Sequence, residues 1–397
     1  MDQISRKVNL DFFLNKNIIL IYIISFIVPM GLNMIAPVLP KIMVELNLKE
    51  EEVSLINIFF TMPGIIVTPF IGIIIDRFSS KKLLIISLLV FGISGLLSCF
   101  VNYFSILLIL RFLQGMSNIF IIIINLIAIS DLFDGETLLK VIGINSSMTH
   151  LGGIIWPMIG GFLSKGNWRN AFYPFFISLI IALFVYFNLS IKTYKKDYNK
   201  IEGYFSKTFS ILNNNREIFS LFLIITTSYL IFYGCYITYF PLYINKIFNL
   251  STLFIGFSLS IMRLTALFVS AQISKLKRVF SFKWLFSIAI IFYILSLISI
   301  IFIINRKFIL LPSIIWGIAH GIFLPCSQIF VIKIAPSSHK GEIISLSRFF
   351  TRFGQTIGPL IMGAVLIYFN FQAVFYFGIF LWILVLILLL SKRIMIN

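Results

Sequence analysis

Apolar side chains run along this chain in unbroken stretches of about twenty residues, parted by short polar joints. Twelve such stretches can be read, at approximately 18–40, 53–75, 83–101, 105–130, 140–163 and 169–190, then 216–243, 252–274, 283–304, 308–333, 342–367 and 372–391. A helix needs about 20 apolar residues to cross the hydrocarbon layer. The runs are continuous rather than alternating, and only helices or closed barrels satisfy backbone groups in lipid, so barrels are set aside. The pattern predicts an all-α membrane protein with twelve transmembrane helices. Arg6 and Lys7 precede the first stretch, but it is too long for a signal-peptide core and lacks a small-residue cleavage site, so it is read as the first span.

A glycine and proline pattern occurs twice inside these stretches. Gly152, Pro157 and Gly161 align with Gly354, Pro359 and Gly363 at an offset of 202, and Asn167, Phe172 and Tyr173 are echoed by Asn370, Phe375 and Tyr376 at 203. A register held across a helix and the turn after it says that the chain is two copies of one unit. That predicts two pseudo-symmetric six-helix bundles, 1–191 and 216–397, joined by a polar linker at 192–215. In a membrane, parallel repeats with a site near the midplane mark secondary transporters.

Composition agrees: 59% of residues are hydrophobic and 12% charged, against roughly 25% charged in a soluble domain. The net charge of +18 invites a nucleic-acid reading that its distribution removes. With the N-terminus in the cytoplasm, only Lys41, Lys49, Lys165, Arg169, Lys246, Arg306 and Lys307 fall outside. The roughly threefold excess inside is the positive-inside rule, and it puts both termini in the cytoplasm. Cys99, Cys235 and Cys326 stand alone in apolar runs, without zinc or redox spacing, and read as packing residues. All fourteen acidic residues lie in joints or within about a turn of a span end, with Asp131, Glu217 and Glu342 nearest the interior. A proton-coupled mechanism would then have to use Asp76, Asp131, a histidine or a carboxylate on the cargo.

Four motifs carry more specific chemistry. After span two the chain reads GIIIDRFSSKK, with Gly72, Asp76 and Arg77. Span four holds Arg111, Gln114 and Gly115 in an apolar run, where an arginine costs about 2.5–3.5 kcal/mol on insertion scales and so must face protein or water. Span five carries Gly143, Gly152, Pro157, Gly160 and Gly161, and span one carries Asn33, Pro37 and Pro40. Together these resemble the major facilitator superfamily, and in particular its twelve-span drug and metabolite antiporter branch. The resemblance covers the whole chain. It implies alternating access, export against the proton gradient, and gating or coupling roles for the residues of the loop, span four and span five. One position departs: Trp156 stands where the pattern has glycine, while the second copy keeps Gly358, which predicts a change in how that helix bends or packs.

Plainer readings stand beside these. Arg111 reads as a coupling group or as a structural arginine on backbone carbonyls, and Asp76 with Arg77 as a latch between halves. Arg263 should lie near mid-membrane, either in a cavity for anionic or carbonyl-rich compounds or solvated and capping backbone. His150 and His320 are proton relays or hydrogen-bonded core residues. Arg111, Asn118 and Asn125 recur every seven residues on one face of span four, and Tyr229, Tyr233 and Tyr236 form an aromatic stripe in span seven. With Asn33, Asn145 and Gln355 these complete the cavity candidates. The expectation is a monomeric exporter of a small organic or lipophilic compound in a bacterial inner membrane, a source suggested by abundant Ile, Phe, Asn and Lys. It uses no cofactor, metal or nucleic acid, and the proton gradient supplies the energy. An organic-anion uptake symporter or facilitator is the alternative within transport, and a transport-inactive sensor or membrane enzyme is the alternative outside it.

Overall fold

Helices are the only regular elements among the described residues of this computed structural model, which are 16–68, 74, 78–133, 135–189, 216–334 and 340–391. We number them α1 Lys16–Glu45, α2 Ser54–Val67, α3 Ser80–Phe100, α4 Phe104–Leu132, α5 Gly135–Leu163, α6 Trp168–Asn188, α7 Glu217–Phe248, α8 Thr252–Ser270, α9 Phe282–Ile301, α10 Arg306–Ile334, α11 Lys340–Tyr368 and α12 Phe371–Leu390. Each falls on one of the twelve expected stretches. Ten are long and apolar enough on their own to cross a membrane. The other two are α2, which has 14 residues, and α5, whose run TLLKVIGINSSMTH is polar. Gly72, Asp76, Arg77 and the expected linker at 192–215 lie outside the described residues.

Apolar side chains point outward as well as inward. Leu183, Phe184 and Phe187 on α6, and Ile383, Leu384 and Ile387 on α12, are exposed, as a surface in contact with acyl chains requires. The echoed asparagines prove to be helix caps. Asn167 Oδ1 accepts the Arg169 N–H at 2.9 Å to start α6, and Asn370 Oδ1 accepts the Ala373 N–H at 2.9 Å to start α12.

Packing respects the repeat. In the first half α4 packs on α2 and α3, α3 on α6, and α1 on α5; in the second, α10 packs on α8 and α9, α9 on α12, and α7 on α11. The halves meet where α5 runs along α8 and α11 along α2, two contacts that the 202-residue offset makes equivalent. The α5–α8 contact is tight at the end carrying the α1–α2 and α7–α8 joints. There a Cβ on Gly161 would run into the Thr252 carbonyl, and one on Gly256 into that of Pro157, so backbone meets backbone only because these residues have no side chain. Thr252 Oγ1 donates to the Gly161 carbonyl at 2.9 Å, Asn57 Nδ2 to Thr238 Oγ1 at 3.0 Å, and Lys246 pairs with Glu50 at 2.5 Å. Farther along α5, the face that continues through His150 reaches exposed Ser146, Ser147 and Gly143, and a Cβ on Gly143 would meet nothing within 4 Å. On α11 the corresponding face reaches exposed Arg348. Among the described residues, then, the halves touch closely at one end, while at the other Gly143, Ser146 and Ser147 of α5 and Arg348 of α11 stand exposed.

A bulky residue at the α5–α8 crossing should therefore be costly where one at the exposed end of α5 is not. We expect Gly256→Val to lower stability by about 1–3 kcal/mol, read as a fall in Tm of the purified protein, and Gly143→Ala to leave Tm unchanged or slightly raised.

Candidate functional site

Seven helices converge on a cavity between the halves. It holds about 190 Å³ and is lined by Pro29 and Asn33 from α1, Phe60 from α2, Asn118 from α4, Thr149, His150 and Gly153 from α5, Tyr233 from α7, Arg263 from α8, and Arg352 and Gln355 from α11. A second cavity of about 210 Å³ adjoins it through His150 and Arg263 and extends between α8 and α10 past Ser270, His320 and Gln328. No aspartate or glutamate lines either cavity among the described residues.

Arg263 stands at the junction. Its guanidinium lies over the Phe232 ring, 5.2 Å from the centroid, and its buried Nε has no hydrogen-bond partner among the described residues. Its stem lies 3.6 Å from where a Cβ on Gly153 would be, an ordinary packing distance that places it against α5. Arg352 Nη1 donates to Gln355 Oε1 at 3.0 Å. Its stem passes Gly64 on α2, so the second arginine enters at the α2–α11 contact as Arg263 enters at α5–α8. The sequence candidates do not include Arg352; its one signal was its alignment with His150 in the repeat. His320 is buried, with Nδ1 2.9 Å from the Tyr293 hydroxyl and its ring stacked on Phe232 at 4.9 Å.

The aromatic stripe divides. Tyr233 reaches the cavity, with Tyr229 beside it at 6.3 Å, whereas Tyr236 is buried in a stack with Phe240 and Trp316 at 5.0 and 4.7 Å. Tyr233 and Tyr236 belong to a π-helical stretch, Phe232–Tyr239, in which Thr238 Oγ1 donates to the Tyr233 carbonyl five residues back at 2.7 Å. Such stretches concentrate at functional sites. Pro241, which has no N–H to offer the Ile237 carbonyl, is the only mark of it in the sequence.

The polar face of α4 closes onto α1. In α1 the Leu32 N–H bonds the Pro29 carbonyl and the Ile35 N–H the Leu32 carbonyl, at 3.3 and 3.2 Å, a tightening that leaves the Val28 and Gly31 carbonyls for other donors. Asn118 Nδ2 takes Val28 O at 3.0 Å and Arg111 Nη2 takes Gly31 O at 2.7 Å. Arg111 also donates to Gln114 Oε1 at 2.6 Å and to Ile56 O at 3.4 Å, over the Phe60 ring at 4.5 Å, and is fully buried behind the cavity wall. One heptad on, Asn125 Nδ2 reaches Ile21 O and Ser25 Oγ at 3.2 and 2.7 Å, and Ser25 Oγ donates to Asn145 Oδ1. Asn125 and Asn145 thus join α1, α4 and α5 outside the two cavities. Asn33 Nδ2 caps the Pro29 carbonyl at 3.1 Å while facing the first cavity.

Glycines set the spacing around this frame. Gly115 lies against the Phe60 carbonyl, Gly152 against that of Phe26 and Gly160 against that of Met34. Between the last two, Trp156 lies along α1, its Nε1 donating to Phe26 O at 2.8 Å and its ring 5.1 Å from that of Phe26. In the second copy Gly358 sits directly on the Leu230 carbonyl instead. The departure at Trp156 is therefore a filled, hydrogen-bonded contact.

Two bundles around a central cavity, with this repeat, agree with the sequence comparison. The family model described as Major Facilitator Superfamily matches residues 21–306 and 275–394. The chain belongs to the Major Facilitator Superfamily. It is 27% identical over 356 residues to the quinolone resistance protein NorA of Staphylococcus aureus (strain MSSA476), covering 89% of this chain and 90% of that protein. It is 30% identical over 382 residues to multidrug resistance protein 1 of Bacillus subtilis (strain 168), covering 91% and 93%. Among solved structures it resembles the nucleoside transporter NupG, with a TM-score of 0.78 at 16% identity over 94% of this chain and 98% of that one, and a D-xylose-proton symporter, with 0.76 at 13% over 96% and 98%. As a member of that family, the protein is a multi-pass membrane transporter of small molecules and not an enzyme.

The α1–α4 frame yields two predictions. Arg111→Leu should cost about 1–3 kcal/mol for each buried acceptor left without a donor, measured as a loss of Tm and of folded yield. Trp156→Gly, which restores the glycine of the family pattern, should destabilise by about 3 kcal/mol or more through the cavity it leaves, while Trp156→Phe, which keeps the ring contact, should recover most of the loss in the same assay.

Proposed function

We propose that this transporter exports a small, lipophilic organic compound across the bacterial cytoplasmic membrane by alternating access, with protons entering in exchange. The observation that carries the reading is the cavity at the crossing of α5 with α8 and α2 with α11, closed at one end by backbone contact between α5 and α8 and, among the described residues, flanked at the other by exposed positions of α5 and α11. A rocking of one half on the other about those crossings exposes the same residues to either side in turn. The charge bias supports a cytoplasmic position for both termini and for the end with the exposed positions, so that this conformation faces inward. The quinolone and multidrug resistance named for the two bacterial relatives supports export.

Within that reading Gly72, Asp76 and Arg77 latch the cytoplasmic ends when the halves close there. Arg111, with Gln114, holds α1 and α2 to α4 so that the first half moves as one body. Gly143, Gly152, Pro157, Gly160 and Gly161 give α5 the close contacts that rocking preserves or exchanges. His150, in the cavity beside Arg263, is the titratable group placed to take the entering proton. The working unit is one chain without a cofactor.

The test uses inside-acidic proteoliposomes with a pH-sensitive dye and a panel of lipophilic cations, neutral drugs and organic anions. We expect one class of compound to provoke proton efflux, and Asp76→Asn to reduce the rate at least tenfold. No proton movement for any compound, together with accumulation of a radiolabelled organic anion on the side that export would deplete, overturns export in favour of uptake.

A further inference from the structure

The described residues place two arginines in the central cavity and no acid to neutralise them. Arg263 and Arg352 arrive from opposite contacts between the halves, with His150 beside Arg263, and the buried Nε of Arg263 has no partner. The ion pairs Arg169–Glu45 and Lys246–Glu50 lie at the closely packed end and engage neither. Arg263 and Arg352 are both half-buried and open to the cavity, and within a membrane a cation without a counter-ion is costly; the protein does not pair them as it pairs the fully buried Arg111, whose donors are taken up by backbone and Gln114. Gln355 fixes Arg352 through one nitrogen only.

We infer that this cavity binds an aromatic carboxylate, the anionic group paired with Arg263 and Arg352 and the ring seated against Phe60 and Tyr233. The inference rests on the transport reading above and names its cargo class. The recognition is chemical. A guanidinium presents its N–H groups in a planar fork that a carboxylate fills with two parallel hydrogen bonds, and an amide of the same shape fills it with one acceptor and no charge. Two cationic side chains lining one small cavity repel each other, and an anion between them turns that repulsion into attraction. Phe60 and Tyr233 line the same cavity and give a ring an apolar bed beside the charge, while the buried Phe232 backs Arg263 at 5.2 Å. A lipophilic cation, by contrast, would meet arginine with no carboxylate to oppose it.

An anionic cargo also resolves the want of an intramembrane carboxylate. Export of an anion from a negative interior is favoured by the membrane potential itself, and the cargo's carboxylate neutralises the arginines for which the helices supply no acid.

The experiment is equilibrium binding to the purified full-length chain in lipid nanodiscs, comparing 2-naphthoate with its neutral isostere 2-naphthamide and with tetraphenylphosphonium. We expect saturable binding of 2-naphthoate, with the amide weaker by about tenfold or more and the cation weaker still. Arg263→Gln should weaken 2-naphthoate by about tenfold or more and leave the amide within about twofold, while Arg263→Lys retains a preference for the acid. Equal binding of acid and amide to the unaltered chain, tighter binding of the cation, or an unchanged 2-naphthoate affinity in Arg263→Gln would each overturn the inference. The acid–amide comparison needs no variant, so it holds even if Arg263→Gln fails to fold. Binding of 2-naphthoate without proton-linked export in proteoliposomes would sustain the site and defeat the transport reading; export of cations without 2-naphthoate binding would do the reverse.

Discussion

In an apolar solvent a backbone N–H or C=O without a partner costs several kcal/mol, and this constraint governs the structure. It makes every described element helical, and where a helix departs from regularity it dictates what must lie beside it. The turns of α1 around Pro29 tighten and release the carbonyls of Val28 and Gly31. Asn118 and Arg111, seven residues apart on α4, meet those two carbonyls, and Asn125 extends the row to Ile21. The same need fixes Trp156, whose indole N–H is spent on Phe26 O.

Where helices cross between the halves, the same economy takes another form. Glycines at 161 and 256 let carbonyl-bearing backbones touch, and Thr252 adds a hydroxyl hydrogen bond across the contact. Contacts of this sort gain close packing without the hydrophobic force that lipid cannot supply. They are also small, and a joint made of a few close approaches can be exchanged for its counterpart at the other end with little net change in energy. The pairing of α5 with α8 and of α11 with α2 places the exchange symmetrically on both flanks of the cavity.

Arg111 and Arg263 differ in how far they are paired. Arg111, fully buried, is paired at three acceptors, whereas Arg263, half-buried at the cavity, has an unpaired Nε. A frame that engages its buried arginine at three acceptors and a site that leaves an arginine partly unpaired divide the labour between holding a shape and receiving a ligand. If the cargo is an anion, the potential contributes about 2.3 kcal/mol per charge for each 100 mV, which lessens what a bound proton must supply.

Much of this was legible in one dimension. Stretch length gave the helices, because bilayer thickness sets a length that composition alone can satisfy. The repeat of Gly152, Pro157 and Gly161 in Gly354, Pro359 and Gly363 announced two equivalent halves, because a helix crossing needs small residues at fixed intervals whatever its partner. The heptad of Arg111, Asn118 and Asn125 announced one polar face. Which helix that face would meet was not legible, because the acceptors are carbonyls on α1, and every residue carries one. Nor was the π-helical turn that carries Tyr233, or the entry of Arg352, which lies in sequence far from Arg263 and reaches the same cavity only when α11 packs on α2. The sequence by itself determined that polar groups are buried in this membrane protein; the tertiary structure alone decided which of them are paired, because pairing depends on distances between segments that the chain does not connect.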